Sequence, residues 1–199
     1  ISEQSRVPIE ICFTDDGIKV PCLTADTGSS EYQAYIAIIS GQGLANLYER
    51  FGARLLEQNV RSFLQFSGKI NKGIRNTIIN EPQMFLAYNN GIAATADHIE
   101  LDSSGQYISK ISNLQIVNGG QTTASIYHTW KKDKVDIAKI YIQLKLSVIK
   151  NEKEFPNIVS QISRYANTQN KVNDADFTAN NPFLIELEKL SRYILTPTT

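Results

Sequence analysis

The chain has 199 residues, of which 42% are hydrophobic, and its 20 basic and 20 acidic side chains cancel to a formal net charge of zero. This composition is typical of a soluble globular protein with one domain or slightly more. Because the net charge is zero, overall charge does not attract the chain to nucleic acid or to membranes. Any such affinity must come from a local patch. No apolar run approaches the roughly 20 residues that cross a bilayer.

The two cysteines, Cys12 and Cys22, are predicted to lie on neighbouring strands. With two cysteines and no signal peptide, we interpret them as reduced, buried thiols of a cytoplasmic protein; a disulfide between them is the alternative. The chain starts at Ile1 and stops shortly after a helical pattern. We therefore expect it to be a piece of a longer protein, and catalytic residues could lie outside it.

The first half of the chain predicts strands followed by helices. Alternating apolar residues predict short strands at residues 7–13 and 18–23, joined by a turn, and a buried strand at residues 32–39. Helical spacing of apolar residues then predicts helices at residues 44–57, 60–66 and 72–79.

The second half mixes both kinds of element. The pattern of residue types predicts a short strand at residues 84–88 and a hairpin made by residues 92–101 and 107–117. The longest strand is predicted at residues 137–149, with one apolar face made by Ile140, Ile142, Leu144, Leu146 and Val148. Helices are predicted at residues 122–131, 155–165 and 181–191.

This order of elements indicates an α+β fold, in which a mixed β-sheet has flanking helices. Residues 1–43 are expected to be the N-terminal strands and loop of a larger chain, and residues 44–199 the α+β core. The most basic region is residues 44–80, with six basic and two acidic side chains. Such charge is usually a solvated helical face. The alternative is a surface that faces phosphate groups, in which Arg61 and Lys72 would take part.

A strand, a glycine turn and a helix start follow one another around Gly119. In this order the backbone N–H groups of the turn lie at a helix N-terminus, where unpaired donors and the helix dipole favour an anion. The polar ligand or nucleic-acid backbone held there would contact Asn118, Gly119, Gly120, Gln121, Thr122 and Thr123. The alternative is an ordinary turn, in which glycine supplies a positive φ and threonine caps the helix.

Carboxamide side chains are abundant at turns and element ends. Some of them stabilise the turns, but several lie close to glycine turns and to arginines, which suggests a polar pocket. A second turn, residues 89–91, is expected beside the first. The further candidate ligand-binding residues are Asn89, Asn90, Gly91, Asn59, Arg61, Lys72, Arg164, Asn167, Gln169 and Asn170.

Catalytic or metal-binding patterns are weak. His98 and His128 have no partners at metal-ligand spacing, so both are interpreted as surface or packed residues. Asp174 and Asp176 could hold Mg²⁺ on an extended segment, or cap the next helix. Asp136 followed by Gln143 and Lys145 resembles the acid and lysine layout of restriction-type nucleases, although Lys145 is predicted to point outward.

Several motifs follow one another in a fixed order, at residues 59–65, 71–72, 88–92, 117–123, 164–172 and 176–177. Together they resemble the AIPR family, the abortive-infection phage-resistance proteins of bacteria, from about residue 32 to the end. The resemblance implies a cytoplasmic defence protein. Residues 118–122 are also faintly similar to the Asp-Gly-x-His-Arg turn of ParB-like domains, which implies a partly ParB-like fold. The arginine of that turn is replaced by threonine here.

The resulting hypothesis is a nucleic-acid- or nucleotide-binding module of a phage-defence protein. Its partners would be DNA, RNA or a nucleotide, together with other defence-system proteins, and not a membrane. The alternatives are a metal-dependent nuclease domain, which would require Mg²⁺, and a scaffold that recognises another protein. The catalytic residues and the oligomeric state are not assigned from the sequence.

Overall fold

The computed structural model describes residues 8–56, 68–151 and 154–168. The chain forms two compact units, Ile1–Ala166 and Asn167–Thr199, and the architecture below is that of the first. The predicted helices at residues 60–66 and 181–191 lie outside the described residues.

Eight strands are described: β1 Glu10–Cys12, β2 Cys22–Ala25, β3 Tyr32–Ser40, β4 Ile92–Ala96, β5 His98–Leu101, β6 Ile108–Ser112, β7 Gln115–Asn118 and β8 Tyr141–Ile149. The described α-helices are α1 Gly41–Phe51, α2 Gly68–Asn80, α3 Phe85–Tyr88, α4 Gly120–Asp133 and α5 Phe155–Thr168. Two 3₁₀ turns, Gly52–Leu56 and Pro82–Met84, follow α1 and precede α3.

The strands form two sheets. The larger has five strands in the order β2-β3-β8-β4-β7, and the smaller has three in the order β1-β6-β5. In the larger sheet β4 and β8 are parallel, whereas the other neighbouring strands are antiparallel. The predicted α+β class with a mixed sheet is therefore confirmed.

The predicted hairpin at residues 92–101 and 107–117 is divided between the two sheets. Each predicted strand breaks, at Asp97 on one side and at Asn113 on the other, so that β5 and β6 pair in the small sheet while β4 and β7 pair in the large one. Asn113 has a left-handed backbone with φ of 55°. Apolar residues continue beyond both breaks, but they change phase, from Ala94 and Ala96 to Ile99 on one side and from Ile111 to Leu114 on the other. The prediction of single long strands overlooks this change of phase.

The prediction that the two cysteines lie on neighbouring strands is wrong. Cys12 is in β1, which pairs with β6, whereas Cys22 is in β2, which pairs with β3 in the other sheet. Both thiols are free. Burial raises the pKa of the Cys22 thiol, and the nearby Asp102 carboxylate adds to the shift, so this thiol is less reactive than an exposed one.

The core lies on one face of the large sheet, here called the inner face. The predicted buried face of β8 is confirmed, since Ile142, Leu144 and Leu146 are all at most 2% exposed. Leu47 of α1 and Ile126 of α4 belong to the same hydrophobic cluster. Burying each such side chain contributes roughly 1.5–3 kcal/mol, so this layer dominates the stability of the unit.

The opposite, outer face is only partly covered. Val159 of α5 packs with Val117 and Ile149 over one part of the sheet. On the strands away from α5, Leu23 is 76% exposed and Ile36, its partner across β2 and β3, is 39% exposed. The strand predicted as buried at residues 32–39 is therefore present as β3 but buried mainly on one side.

The helix predictions are confirmed for residues 72–79, 122–131 and 155–165, which lie within α2, α4 and α5. The helix predicted at residues 44–57 begins earlier, where Ser40 Oγ accepts from Gly43 N at 3.1 Å, and its α-helical part ends at Phe51 because Gly52 has φ of 55°.

The strand predicted at residues 84–88 is wrong. Pro82 starts a 3₁₀ turn there, and a single α-helical turn follows it. A short apolar run of this kind fits a buried strand or a helical turn equally well, and the fixed φ of the preceding proline favours the helical start.

Among the residues described, no helix combines the length and the hydrophobicity that a membrane-spanning segment needs.

Candidate functional site

Two glycine turns lie side by side at one edge of the large sheet. Residues 89–91 lead into β4, and residues 118–120 lead out of β7 into α4. Because β4 and β7 are antiparallel, with Ala93 opposite Asn118, the start of one strand meets the end of the other. These two segments are called the paired glycine turns.

Close packing makes glycine necessary in both turns. Gly119 has φ of 93°, and a Cβ there would lie 2.5 Å from Cγ2 of Ile92. Gly91 has φ of 74°, and its Cβ would lie 2.5 Å from the carbonyl oxygen of Gln143 on β8. Contacts this short cannot be accommodated without moving the backbone, and the positive φ adds strain for any other residue.

Asparagine side chains connect the turns to each other and to α5. Asn89 Oδ1 accepts from Gly91 N at 2.9 Å, and Asn89 Nδ2 donates to Thr122 Oγ1 at 3.4 Å. Asn118 Nδ2 donates to the carbonyl oxygen of Ala166 at 2.6 Å. These carboxamides therefore hold the turns in place, which is the structural role that turn chemistry predicts for them.

The N-terminus of α4 lies at this edge of the large sheet. Gly119 is its N-cap in a left-handed conformation, without a side-chain cap, and no acidic residue lies in the first turn. The N–H and the hydroxyl of Thr123 both donate to Gly119 O, at 3.0 and 3.1 Å. The three N–H groups of residues 120–122 precede the first intrahelical bond, so they lie at the positive end of the helix dipole.

Burial divides the predicted contact residues into two groups. Thr122 and Thr123 are buried, at 7% and 0% exposure, and their hydroxyls are used within the fold. Gln121 is half-buried and Asn90 is exposed. An incoming ligand would therefore reach the side chains of Asn90 and Gln121 first.

Two basic side chains lie on helices that contact α4 or the paired glycine turns. Asn71 Oδ1 accepts from Ser125 Oγ at 3.2 Å, which places the start of α2 beside the first turns of α4, and Lys72 is the next residue. Arg164 precedes Ala166, the residue bonded to Asn118, by two positions on α5. Both side chains are exposed, and neither has a salt bridge among the described residues.

Two other arginines of the basic region are neutralised by acidic residues of other elements. Arg50 pairs with Asp16 at 3.6 Å, and Arg75 makes a two-pronged bond to Asp133, with both N···O distances at 2.7 Å. The structure thus favours a solvated, ion-paired face for these two arginines. The candidates Asn59, Arg61, Gln169 and Asn170 lie outside the described residues, as does the side chain of Asn167.

The structure describes only some of the candidate metal and nuclease residues. Asp174 and Asp176 lie outside the described residues. Asp136 is exposed, and its Oδ1 accepts from Ala138 N at 2.8 Å, while Lys145 is exposed on the outer face of β8, as predicted. Within residues 8–56, 68–151 and 154–168 no group of three or more histidine, cysteine or acidic side chains could hold a metal ion.

Sequence reasoning missed a buried polar row across the large sheet. Thr95 lies opposite Gln115 on one side and beside Ser147 on the other, and all three are at most 5% exposed. Gln115 Nε2 donates to Arg54 O at 3.0 Å, but Gln115 Oε1 and Thr95 Oγ1 have no hydrogen-bond partner in the part of the chain that the structure describes. The sequence signal for this row is Gln115, a polar residue inside the apolar run that ends at Val117.

Comparison with known proteins adds one finding. The profile of the AIPR family, described as AIPR protein, matches residues 56–197. This chain belongs to the AIPR family. The match includes both paired glycine turns, β4 to β8, α4 and α5, whereas β1 to β3 and α1 precede it. AIPR membership assigns the chain to the abortive-infection, phage-resistance proteins.

No curated protein and no solved structure matches the AIPR chain.

Proposed function

We propose that this AIPR chain is a nucleic-acid- or nucleotide-binding module of a bacterial phage-defence protein, and that it binds phosphate at the paired glycine turns. It would act in the cytoplasm, where phage nucleic acid and the other defence proteins are. Mg²⁺ would accompany the ligand only if that ligand is a nucleoside triphosphate or if the full protein is a nuclease.

The observation that carries this proposal is the combination of backbone amides at the N-terminus of α4 with basic side chains on the neighbouring helices. The first turn of α4 contains no acidic side chain, and Lys72 and Arg164 flank it without salt bridges among the described residues. Backbone amides at a helix N-terminus recognise a phosphate regardless of base sequence, and basic side chains add salt-dependent affinity.

The first test is thermal melting of the chain with nucleoside triphosphates, short DNA or short RNA, each with and without Mg²⁺. A ligand at about 100 times its Kd adds about 2.7 kcal/mol to the free energy of unfolding, which is visible as a higher Tm. A shift with one class identifies the ligand. No shift with any class would contradict the proposal and favour the protein-recognition scaffold.

A matched pair of lysine variants locates the binding. Lys72→Gln should lower the affinity and reduce the slope of log K against log salt by about one unit, since one phosphate contact is lost. Lys132→Gln removes an equally exposed lysine near the far end of α4, about 18 Å along the helix axis from Gly120. If both variants reduce the slope equally, the ligand is not at the paired glycine turns.

A further inference from the structure

A concave site lies at the ends of the large-sheet strands that are farthest from the paired glycine turns. It occupies the space between β5, the ends of β3 and β8, and the start of α5, and its volume is about 720 Å³. Small-molecule sites have volumes of roughly 300–1,000 Å³ and combine apolar walls with a few polar groups. This space is called the β5–α5 cleft.

The β5–α5 cleft is separate from the paired glycine turns. β4 has five residues and runs from the turns at Gly91 to the cleft at Asp97, so the two sites lie roughly 15–20 Å apart. Along the helix α5 the distance is similar, about 17 Å from Phe155 at the cleft to Ala166, which accepts from Asn118.

The walls of the cleft are apolar and well fixed. Ile99, Val148 and Ile149 are at most 9% exposed and belong to the hydrophobic clusters of the sheet. Phe155 and Pro156, at the start of α5, complete the walls. A ligand with a flat ring could therefore bury that ring against these apolar and aromatic side chains.

Three polar side chains in the cleft have no hydrogen bond within the described structure. They are the Tyr35 hydroxyl, the His98 imidazole and the Asn113 carboxamide, and each of them can both donate and accept. Burial raises the pKa of the Tyr35 phenol, with a smaller contribution from Cys22, so the hydroxyl stays protonated at neutral pH and available as a donor.

The charged groups of the cleft are one cation and one acid. Lys150 Nζ lies 3.4 Å from Gln33 Oε1 and is exposed at the rim, and the carboxylate of Asp97 also lines the space. A lysine held only by a neutral amide keeps its charge available for an anionic group. The acid can accept a hydrogen bond from an amino group.

We propose that the β5–α5 cleft binds a nucleotide unit, with the base against the Phe155 wall and its phosphate at Lys150. A base presents donors and acceptors on the edge of a flat apolar ring, which matches the unpaired groups of Tyr35, His98 and Asn113. The nucleotide is either free in solution or one unit of a single strand. The inference does not depend on the paired glycine turns.

Calorimetric titration of the chain with each nucleoside monophosphate, and with tetranucleotides of DNA and RNA, tests the proposal. Lys150→Gln should weaken binding by about tenfold or more, because a hydrogen bond to a charged group is lost. Lys145→Gln is the matched control, since this lysine is exposed on the same strand but outside the cleft. Tyr35→Phe keeps the ring and should weaken binding severalfold while the circular dichroism spectrum stays unchanged.

The outcomes separate the two sources of the nucleotide. A monophosphate that binds as tightly as the tetranucleotides indicates a free nucleotide, whereas much tighter tetranucleotide binding indicates a strand. No binding of any probe overturns the proposal. So does binding that Lys150→Gln and Lys145→Gln weaken equally.

Variants of the paired glycine turns distinguish the test of the cleft from the test of the proposed function. Binding that is lost in Gln121→Ala but unchanged in Lys150→Gln and Tyr35→Phe assigns the nucleotide to the paired glycine turns and refutes the cleft. Binding lost only in the cleft variants supports the cleft, whatever happens at the paired glycine turns.

Discussion

The paired glycine turns and the loop at residues 102–107 show two ways of building a polar turn. Both contain glycine at positive φ, and both join strands or helices of the same unit. In the loop, which is called the Asp102 loop, Asp102 Oδ1 accepts from the backbone N–H groups of Gln106 and Tyr107, each at 3.1 Å. Its conformation is thus maintained by its own residues.

The paired glycine turns depend on their surroundings instead. A Cβ on Gly105 in the Asp102 loop would meet no atom within 4 Å, whereas a Cβ on Gly119 would meet Ile92 at 2.5 Å. Glycine is therefore required for different reasons in the Asp102 loop and in the paired glycine turns. The Asp102 loop needs only the backbone freedom of glycine, while the paired glycine turns also need its small size, because each turn packs closely against a strand of the large sheet.

The largest effect is expected from Gly119→Ala. Strain at positive φ costs about 1–3 kcal/mol, and the clash with Ile92 adds a similar amount from overpacking, so the free energy of unfolding should fall by about 2–5 kcal/mol. Urea denaturation measures this. Gly105→Ala, the control, should lose only the strain contribution, and equal losses in both variants would mean that an added Cβ at Gly119 meets no costly clash with Ile92.

A smaller loss is expected from Asn118→Ala. The variant leaves the carbonyl oxygen of Ala166 without its donor at 2.6 Å, and a lost hydrogen bond of this kind costs about 1–2 kcal/mol. Hydrogen exchange should show faster opening of the last turns of α5. Gln106→Ala in the Asp102 loop is the comparison, since its backbone bond to Asp102 remains. Unchanged exchange in α5 would contradict the link between that helix and the turns.

Gly73→Ala should change stability in the opposite direction. Gly73 lies inside α2, is exposed and has open space around its Cβ position, so alanine should raise the free energy of unfolding by up to about 1 kcal/mol. The same urea experiment measures this gain. A loss of stability here would show that alanine is unfavourable for a reason other than φ or packing.

The smallest effect is expected from the charge in the Asp102 loop. The Ser104 hydroxyl, and then the backbone N–H groups of Tyr107, Gln106 and Ser104, lower the pKa of Asp102 below its usual 3.8, although the carboxyl is exposed. A lowered folded-state pKa contributes stability that is present above pH 3.8 and disappears as the pH falls through the folded value.

Wild type should therefore be slightly more stable than Asp102→Asn at pH 7, and the difference should vanish well below pH 3.8. Urea denaturation at both pH values checks this. The loss in Asn118→Ala should be the same at both, because its hydrogen bond joins two neutral groups. A pH-independent difference for Asp102→Asn would show that its charge has no role in the loop.

Much of the local structure could be predicted because it is encoded locally. The alternation along β8 identified its buried face, and the Asn-Gly-Gly sequence marked the start of α4. The hairpin at residues 92–117 was not predicted in full, because the two strands were taken as continuous although their apolar residues change phase at Asp97 and Asn113, where the strands break. The turn that begins at Pro82 was mistaken for a strand because a run of a few apolar residues does not specify its period.

The candidate site was predictable in part. The sequence placed an anion-favouring helix start after Asn118 and a second turn at residues 89–91, but not the close approach of Gly119 to Ile92 and of Gly91 to Gln143 that makes the two glycines necessary. The β5–α5 cleft was not anticipated, because Tyr35, His98 and Lys150 are far apart in the chain and converge only when the two sheets and α5 are in place.

By itself the sequence determined the family, the α+β class, most helices and the position of the glycine turns, since these depend on motif order, hydrophobic period and backbone preference. Only the tertiary structure decided which sheet each strand joins, which asparagines are used within the fold and which surfaces remain open. Those outcomes depend on contacts between distant residues, and a local pattern does not carry that information.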